Sequence, residues 1–399
     1  MSEEKGGRVA SIDVFRGLTI FVMVFVNELA RHEGIPAWMK HAPSEQDGMS
    51  FVDVVFPAFL FIVGMSIPLA LGKRMERGAS AADLWSHILL RTGALLILGV
   101  FMVNMHGFRE DAMPLSGHWW TFLVFVAVMF AWNVYPKTLD SKLANGLKIF
   151  GAIVLIVLAI LYRGDEDGSV RWMRTYWWGI LGLIGWAYLT ASATYLAFRN
   201  RLPALLGAQA LLTLLFIGDQ QGALDFFGVV RDYVWLGGQI GAHSSMVVAG
   251  VVVSTLFLKD APTKTPKERI VWTLAYAAFL FVAGYLLADA FGISKTRATP
   301  AWALYSLSIC AALFAFFYWL VDLRGKEGWF AFLRPAGVNP LLAYILPYTL
   351  YALFGALGAA AWLDQFHQGV PAILWSIVFS FAILGATAAL TKWGVRLKL

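Results

Sequence analysis

The chain has 399 residues, of which 59% are hydrophobic and only 14% charged, with a mean hydropathy of +0.68. A soluble domain is roughly one-quarter charged and near half apolar, so this composition excludes an ordinary soluble globule and indicates an all-α integral membrane protein. The net charge of +6 follows the topology of such a chain, and nucleic acid is not needed to explain it.

The first residues, Met1-Ser2-Glu3-Glu4-Lys5, mix acid and base and lead into an apolar run without a small-residue cleavage site. An uncleaved first span is therefore expected in place of a signal peptide. Spanning helices need about 17 to 25 mostly apolar residues. Such segments fall at 14–30, 51–71, 84–103, 119–133, 147–162, 176–197, 202–218, 243–258, 270–291, 300–321, 340–361 and 372–391. The fourth and fifth are short, so ten to twelve spans are expected, in one polytopic helical bundle covering 1–399 as a single transmembrane domain. The connection over 219–242, with Gly237-Gly238, reads as a re-entrant or interfacial segment. Internal repeats and low-complexity runs are absent from the sequence.

The Lys/Arg bias of short loops sets orientation. With twelve spans, about 21 of the 31 basic residues collect on one side, among them Arg8, Arg16, Lys73 and Arg74, so both termini are expected in the cytoplasm of a cell whose inner membrane the chain crosses. Glu33, Glu45, Asp47, Asp165 and Asp225 fall on the opposite side, as do all histidines except His87. The numerous Trp and Phe suit contact with membrane lipids and the interfacial belts. A single cysteine, Cys310, rules out an intrachain disulfide, and neither a metal-ligand spacing of His and Cys, nor a Gly-rich phosphate loop, nor a serine elbow is present. No metal is expected.

Polar groups converge at one membrane face between Asn27 and Asp53. Asn27 ends the first apolar helix, His41 lies in the following loop, and Asp53 opens the second helix just before Pro57. A loop histidine, with an ordinary pKa near 6.5, can accept a proton at neutral pH or attack a carbonyl itself. Asn27 is either a helix C-terminal cap or an oriented neutral donor, and Asp53 is either a favourable charge at a helix N-terminus or a partner for the imidazole or a substrate ammonium. At the cytoplasmic end, Asp13 and Arg16 stand three residues apart on one helix face. Arg8, Arg16, Lys73 and Arg74 there are either plain positive-inside residues or cations for the phosphates of a nucleotide donor.

Ser11-Ile12-Asp13-Val14-Phe15-Arg16-Gly17, together with Asn27, His41-Ala42 and Asp53-Val54-Val55-Phe56-Pro57, resembles the N-terminal signature of the heparan-alpha-glucosaminide N-acetyltransferase family and its bacterial relatives, multi-pass transmembrane acyltransferases. The likeness is densest over residues 8–71. It continues in Ile293-Ser294-Lys295, Pro300-Ala301-Trp302 and Val338-Asn339-Pro340. The resemblance implies acetyl-CoA as acyl donor, His41 as the active-site histidine with Asn27 and Asp53 beside it, and Asp13, Arg16 and Asn339 on the donor's side. Lys295 falls to the donor or acceptor cavity. Better-known members carry a tryptophan and asparagine soon after the histidine. This chain has Ala42-Pro43-Ser44-Glu45-Gln46-Asp47-Gly48-Met49-Ser50 instead, which makes Glu45 and Asp47 candidates for acceptor contact.

The reading is a transmembrane acyltransferase that moves acetyl from cytoplasmic acetyl-CoA to an amino sugar or envelope glycan at the outer face. The alternative is a multi-pass transporter of a sugar or small anion, which proline-broken helices and the intramembrane Arg91 also suit. Oligomeric state is open, a homodimer being one option.

Overall fold

A computed structural model describes residues 9–258, 261–359 and 368–399. Arg8, His367 and the last two residues of the expected 340–361 span lie outside the described residues.

Each of the twelve expected segments coincides with a helix. They are α1 (Ala10–Leu29), α2 (Val52–Glu76), α3 (Ala81–Val103), α4 (Gly117–Ala131), α5 (Ser141–Leu161), α6 (Gly179–Phe198), α7 (Leu202–Gln220), α8 (Leu236–Thr255), α9 (Pro266–Phe291), α10 (Pro300–Leu323), α11 (Pro340–Ala356) and α12 (Gly369–Lys392). Among the described residues ten of these are long and apolar enough to cross a membrane, or eleven if Glu327–Val338 and α11, bent by 72°, form one broken span. Only α4 is short. The fifth helix is a full-length candidate because Asp140 caps it at Lys142 and Leu143, so it begins at Ser141 and carries two lysines inside its first turns.

Other helix starts follow the same chemistry. Thr265 accepts from Glu268 N ahead of Pro266, and Ser116 accepts from Trp119 N at the head of α4. The start of α1 is capped from a distance, where the Asp322 carboxylate accepts from Ala10 N and Ser11 N at 2.8 and 3.0 Å. The connection over 221–235 carries two short helical turns, and the first seven residues of α8, Leu236–Ala242, are π-helical.

The described chain groups into two compact units. The first comprises 1–19, 37–94 and 183–334. Its tightest packing is the crossing of α2 and α8. A Cβ built on Gly64 would stand 1.8 Å from the Val247 carbonyl oxygen, and one on Gly250 would stand 1.9 Å from that of Phe61. Glycine at both positions lets the two backbones touch, and Ser254 adds a hydrogen bond to the Met65 carbonyl at 2.9 Å. Within this unit α9 and α10 pack side by side, and the Arg91 guanidinium of α3 lies 4.6 Å from the centre of the Tyr188 ring, which offsets part of the cost of a charge inside a span.

The second unit comprises 20–36, 95–182 and 335–399. Here α4 packs on α5 and α11 around Trp120, which is fully buried, stacks on Phe101 and donates to the Leu158 carbonyl at 2.8 Å. A two-stranded antiparallel hairpin, β1 (Gly164–Glu166) and β2 (Ser169–Arg171), follows α5. Its turn residues Asp167 and Gly168 both have positive φ, the conformation an Asp-Gly pair favours.

Gly64→Leu is expected to break the α2–α8 crossing, because the added atoms meet backbone that cannot rotate away. Overpacking of this kind costs about 1–3 kcal/mol or more. The apparent melting temperature of the purified protein should fall by about 5 °C or more, read by thermal unfolding in detergent. An unchanged value would show that the crossing does not bear on stability.

Candidate functional site

The site is built around the first turn of α2. Asp53 has no exposed side-chain surface, whereas the His41 side chain is 40% exposed. Asp53 Oδ1 lies 2.7 Å from His41 Nδ1, and Oδ2 accepts from Ser50 N at 3.0 Å and Ala42 N at 3.2 Å. One carboxylate therefore starts a helix and folds the preceding loop back over itself. Ser50 tightens the loop further, its hydroxyl donating to the Lys40 carbonyl at 2.7 Å and accepting from Val52 N.

Pro57 contributes by what it lacks. In a regular helix its N–H would bond the Asp53 carbonyl, four residues earlier. That carbonyl instead accepts from Trp302 Nε1 at 3.1 Å, which joins the head of α10 to the head of α2. The Trp302 ring faces His243 edge-on at 6.4 Å, and His243 in turn meets Phe56 at 5.4 Å. Among the described residues His243 Nδ1 has no hydrogen-bond partner.

Lys295 completes the constellation. Its Nζ stands 3.2 Å from Nδ1 and 3.1 Å from Nε2 of His41. The turn carrying it is fixed at several points: Gly48 N donates to the Ile293 carbonyl at 2.9 Å, Ile293 N donates to Asp47, and Ser294 and Thr299 bond each other. Gly292 ends α9 with a φ of +66°, a conformation that turns the chain towards Asp47. Burial pushes the Lys295 ammonium down to about 8, while the Asp53 carboxylate acts in the opposite direction.

The ring can be assigned a tautomer from this network. A carboxylate is acceptor-only, so in the neutral ring Nδ1 carries the proton it donates to Asp53 and Nε2 keeps its lone pair. The result is an exposed base held by a buried carboxylate, with a cation within 3.1 Å of the basic nitrogen.

The other expected residues fall elsewhere. Asp47 serves the turn at Ile293, and Glu45 is exposed, with its carboxyl held below the usual range by the Ser44 hydroxyl. Arg16 bonds Asp13 and Ser66, each at 3.0 Å, while Lys73 and Arg74 are exposed near the far end of α2. Twenty residues of helix separate Asp53 from Lys73, about 30 Å along the axis, close to the thickness of a hydrocarbon core. Asn27 belongs to the second unit, where it lines a cleft with Glu28 and Arg31. Asn339 is buried in that unit, bonding Thr391, the Val395 carbonyl and Leu397 N. The contribution of Ser50, Trp302 and His243 was not singled out from sequence. The Pro57 spacing was the one available signal, since it announces a freed carbonyl at Asp53.

Fold and site together define a polytopic, predominantly helical membrane protein with a histidine, a carboxylate and a lysine gathered at one end of its second helix. The chain belongs to the family described as a domain of unknown function, DUF5009, whose profile matches residues 8–223. Over 98 residues, 24% of the chain, it is 40% identical to heparan-alpha-glucosaminide N-acetyltransferase of Mus musculus and 39% identical to that of Homo sapiens. The matched segment spans 14% of the length of each of these relatives.

The Lys295 amine is expected to turn nucleophilic as pH rises through about 8, well before an ordinary lysine at 10.5. Amine-selective labelling followed by peptide mass spectrometry should give a modification rate at Lys295 with its midpoint near that lower value. A midpoint at the ordinary lysine value would show that the amine is not desolvated.

Proposed function

We propose that this protein is a membrane acyltransferase that moves acetyl from acetyl-CoA to the amine of an amino sugar or related envelope glycan, with His41 as the proton acceptor. The observation that supports it is the pairing of an exposed imidazole with the buried Asp53 carboxylate at 2.7 Å, at the loop histidine that the sequence resemblance implies as the active-site residue. In this reading both termini are cytoplasmic, Arg16 of α1 and Lys73 and Arg74 of α2 face the compartment of the nucleotide donor, and His41 faces the opposite side.

The chemistry follows from the assigned tautomer. The neutral acceptor amine attacks the thioester carbonyl and forms the new C–N bond. As it does so, the nitrogen's proton passes to His41 Nε2, and Asp53 stabilises the imidazolium through Nδ1–H. Negative charge on the carbonyl oxygen develops beside the Lys295 ammonium, which offsets it in a partly desolvated setting. The C–S bond then breaks, the imidazolium returns its proton to the departing thiolate, and amide and free coenzyme A result.

Purified protein with labelled acetyl-CoA and a panel of amino sugars provides the test. His41→Ala should abolish transfer, and Asp53→Asn should lower the rate by roughly 10²–10⁴ through loss of the oriented tautomer. Wild-type turnover by His41→Ala would overturn the assignment. In the pH–rate profile, deprotonation of Lys295 should give a falling alkaline limb near 8. Lys295→Arg, whose charge persists, should move that limb upward, and an unmoved limb would remove Lys295 from the mechanism.

A further inference from the structure

The second unit holds a cleft. It is lined by Asn27, Glu28, Arg31, Tyr344, Tyr348 and Tyr351, among others, with a volume of about 40 Å³. That is room for a few water-sized groups, such as an ammonium and the first atoms of its chain. Glu28 is 2% exposed. Its Oε1 accepts from Tyr351 Oη and from Trp375 Nε1 at 2.8 Å, and lies 3.5 Å from His32 Nε2. Among the described residues its Oε2 receives no hydrogen bond. A carboxyl group placed within a membrane-spanning helix is costly, and such groups mark function by default.

Tyr351 bonds this carboxyl, and Tyr344 and Tyr348 line the same cleft. Tyr344 and Tyr348 meet edge to face at 5.7 Å, and the Arg31 guanidinium lies 3.9 Å from the centre of the Tyr351 ring. The chain's own cation thus already uses one wall of the cleft as a cation–π surface. Glu28, in the last turn of α1, and Arg31, two residues past its end, are not ion-paired with each other among the described residues. An acid and a base lining one cleft, each touching the Tyr351 side chain, match a ligand that carries both charges.

We propose that this cleft binds a small organic ammonium with an adjacent anionic group, of the phosphoethanolamine class. The ammonium enters the tyrosine cage against Glu28, and the phosphate pairs with Arg31 at the rim. The ligand is either the headgroup of an aminophospholipid or the free head.

The test is calorimetric titration of the full-length protein in detergent with phosphoethanolamine, ethanolamine and inorganic phosphate, alongside native mass spectrometry of protein from vesicles with and without phosphatidylethanolamine. Phosphoethanolamine should bind at least tenfold more tightly than ethanolamine, and phosphate alone should not compete at equal concentration. Glu28→Gln should weaken both amines tenfold or more. Arg31→Ala, an exposed position that tolerates change, should reduce phosphoethanolamine to the level of ethanolamine and leave ethanolamine unaltered. Retention of the phospholipid, lost in Arg31→Ala, would identify the lipid source, and binding of the free head with no retained lipid would identify the soluble one. Absence of binding by either form, equal affinity of Arg31→Ala, or phosphate binding as tightly as phosphoethanolamine would each overturn the proposal.

Discussion

Much of the first unit follows from the burial of one carboxylate. Removing a carboxylate from water costs several kcal/mol unless hydrogen-bond donors replace its hydration. Asp53 meets that requirement with an imidazole N–H and two backbone N–H groups, all from the twelve residues before it. The loop has little freedom left. Its path, the orientation of His41 and the start of α2 are consequences of a single satisfied anion, which also lies in the first turn of a helix, where negative charge is favoured.

The carboxylate is useful only if α2 is held in register with its neighbours. The glycine crossing fixes how close α2 and α8 approach, and the Trp302 indole, accepting the role left open by Pro57, ties α10 to the same turn. Backbone contact at one point and a side-chain bond at another leave α2 little room to slide. Such rigid support is what a proton-transfer site needs, since small displacements of a base weaken its reach.

The helices were legible because a bilayer demands long apolar segments, and length alone finds them. Boundaries were less so. Asp140 starts α5 ahead of the expected segment, and π-helical backbone extends α8 back through Gly237 and Gly238, because capping and backbone closeness act without altering hydropathy. The Asp167-Gly168 turn carried a hairpin signal, but the flanking Gly164-Asp165-Glu166 and Ser169-Val170-Arg171 lack the apolar alternation that marks strands. His41 and Asp53 stand close enough in sequence to be read as partners. Lys295 does not: only the family likeness pointed to it, since no periodicity links residues 254 apart. His243 was hidden for a different reason, because its surroundings are apolar rings that sequence cannot place.

The two segments that carry His41 and Lys295 are stitched together between Gly48 and Ile293. Surface loops ordinarily absorb insertions at small cost, because closure entropy grows slowly with length. Here an added residue on either side of the stitch would shift ring and amine relative to each other. Descendants of this chain could vary the two loops in length only in concert. Divergence in what the site admits is thus channelled into the exposed side chains at Ser44, Glu45 and Gln46, where identity changes without altering the thread.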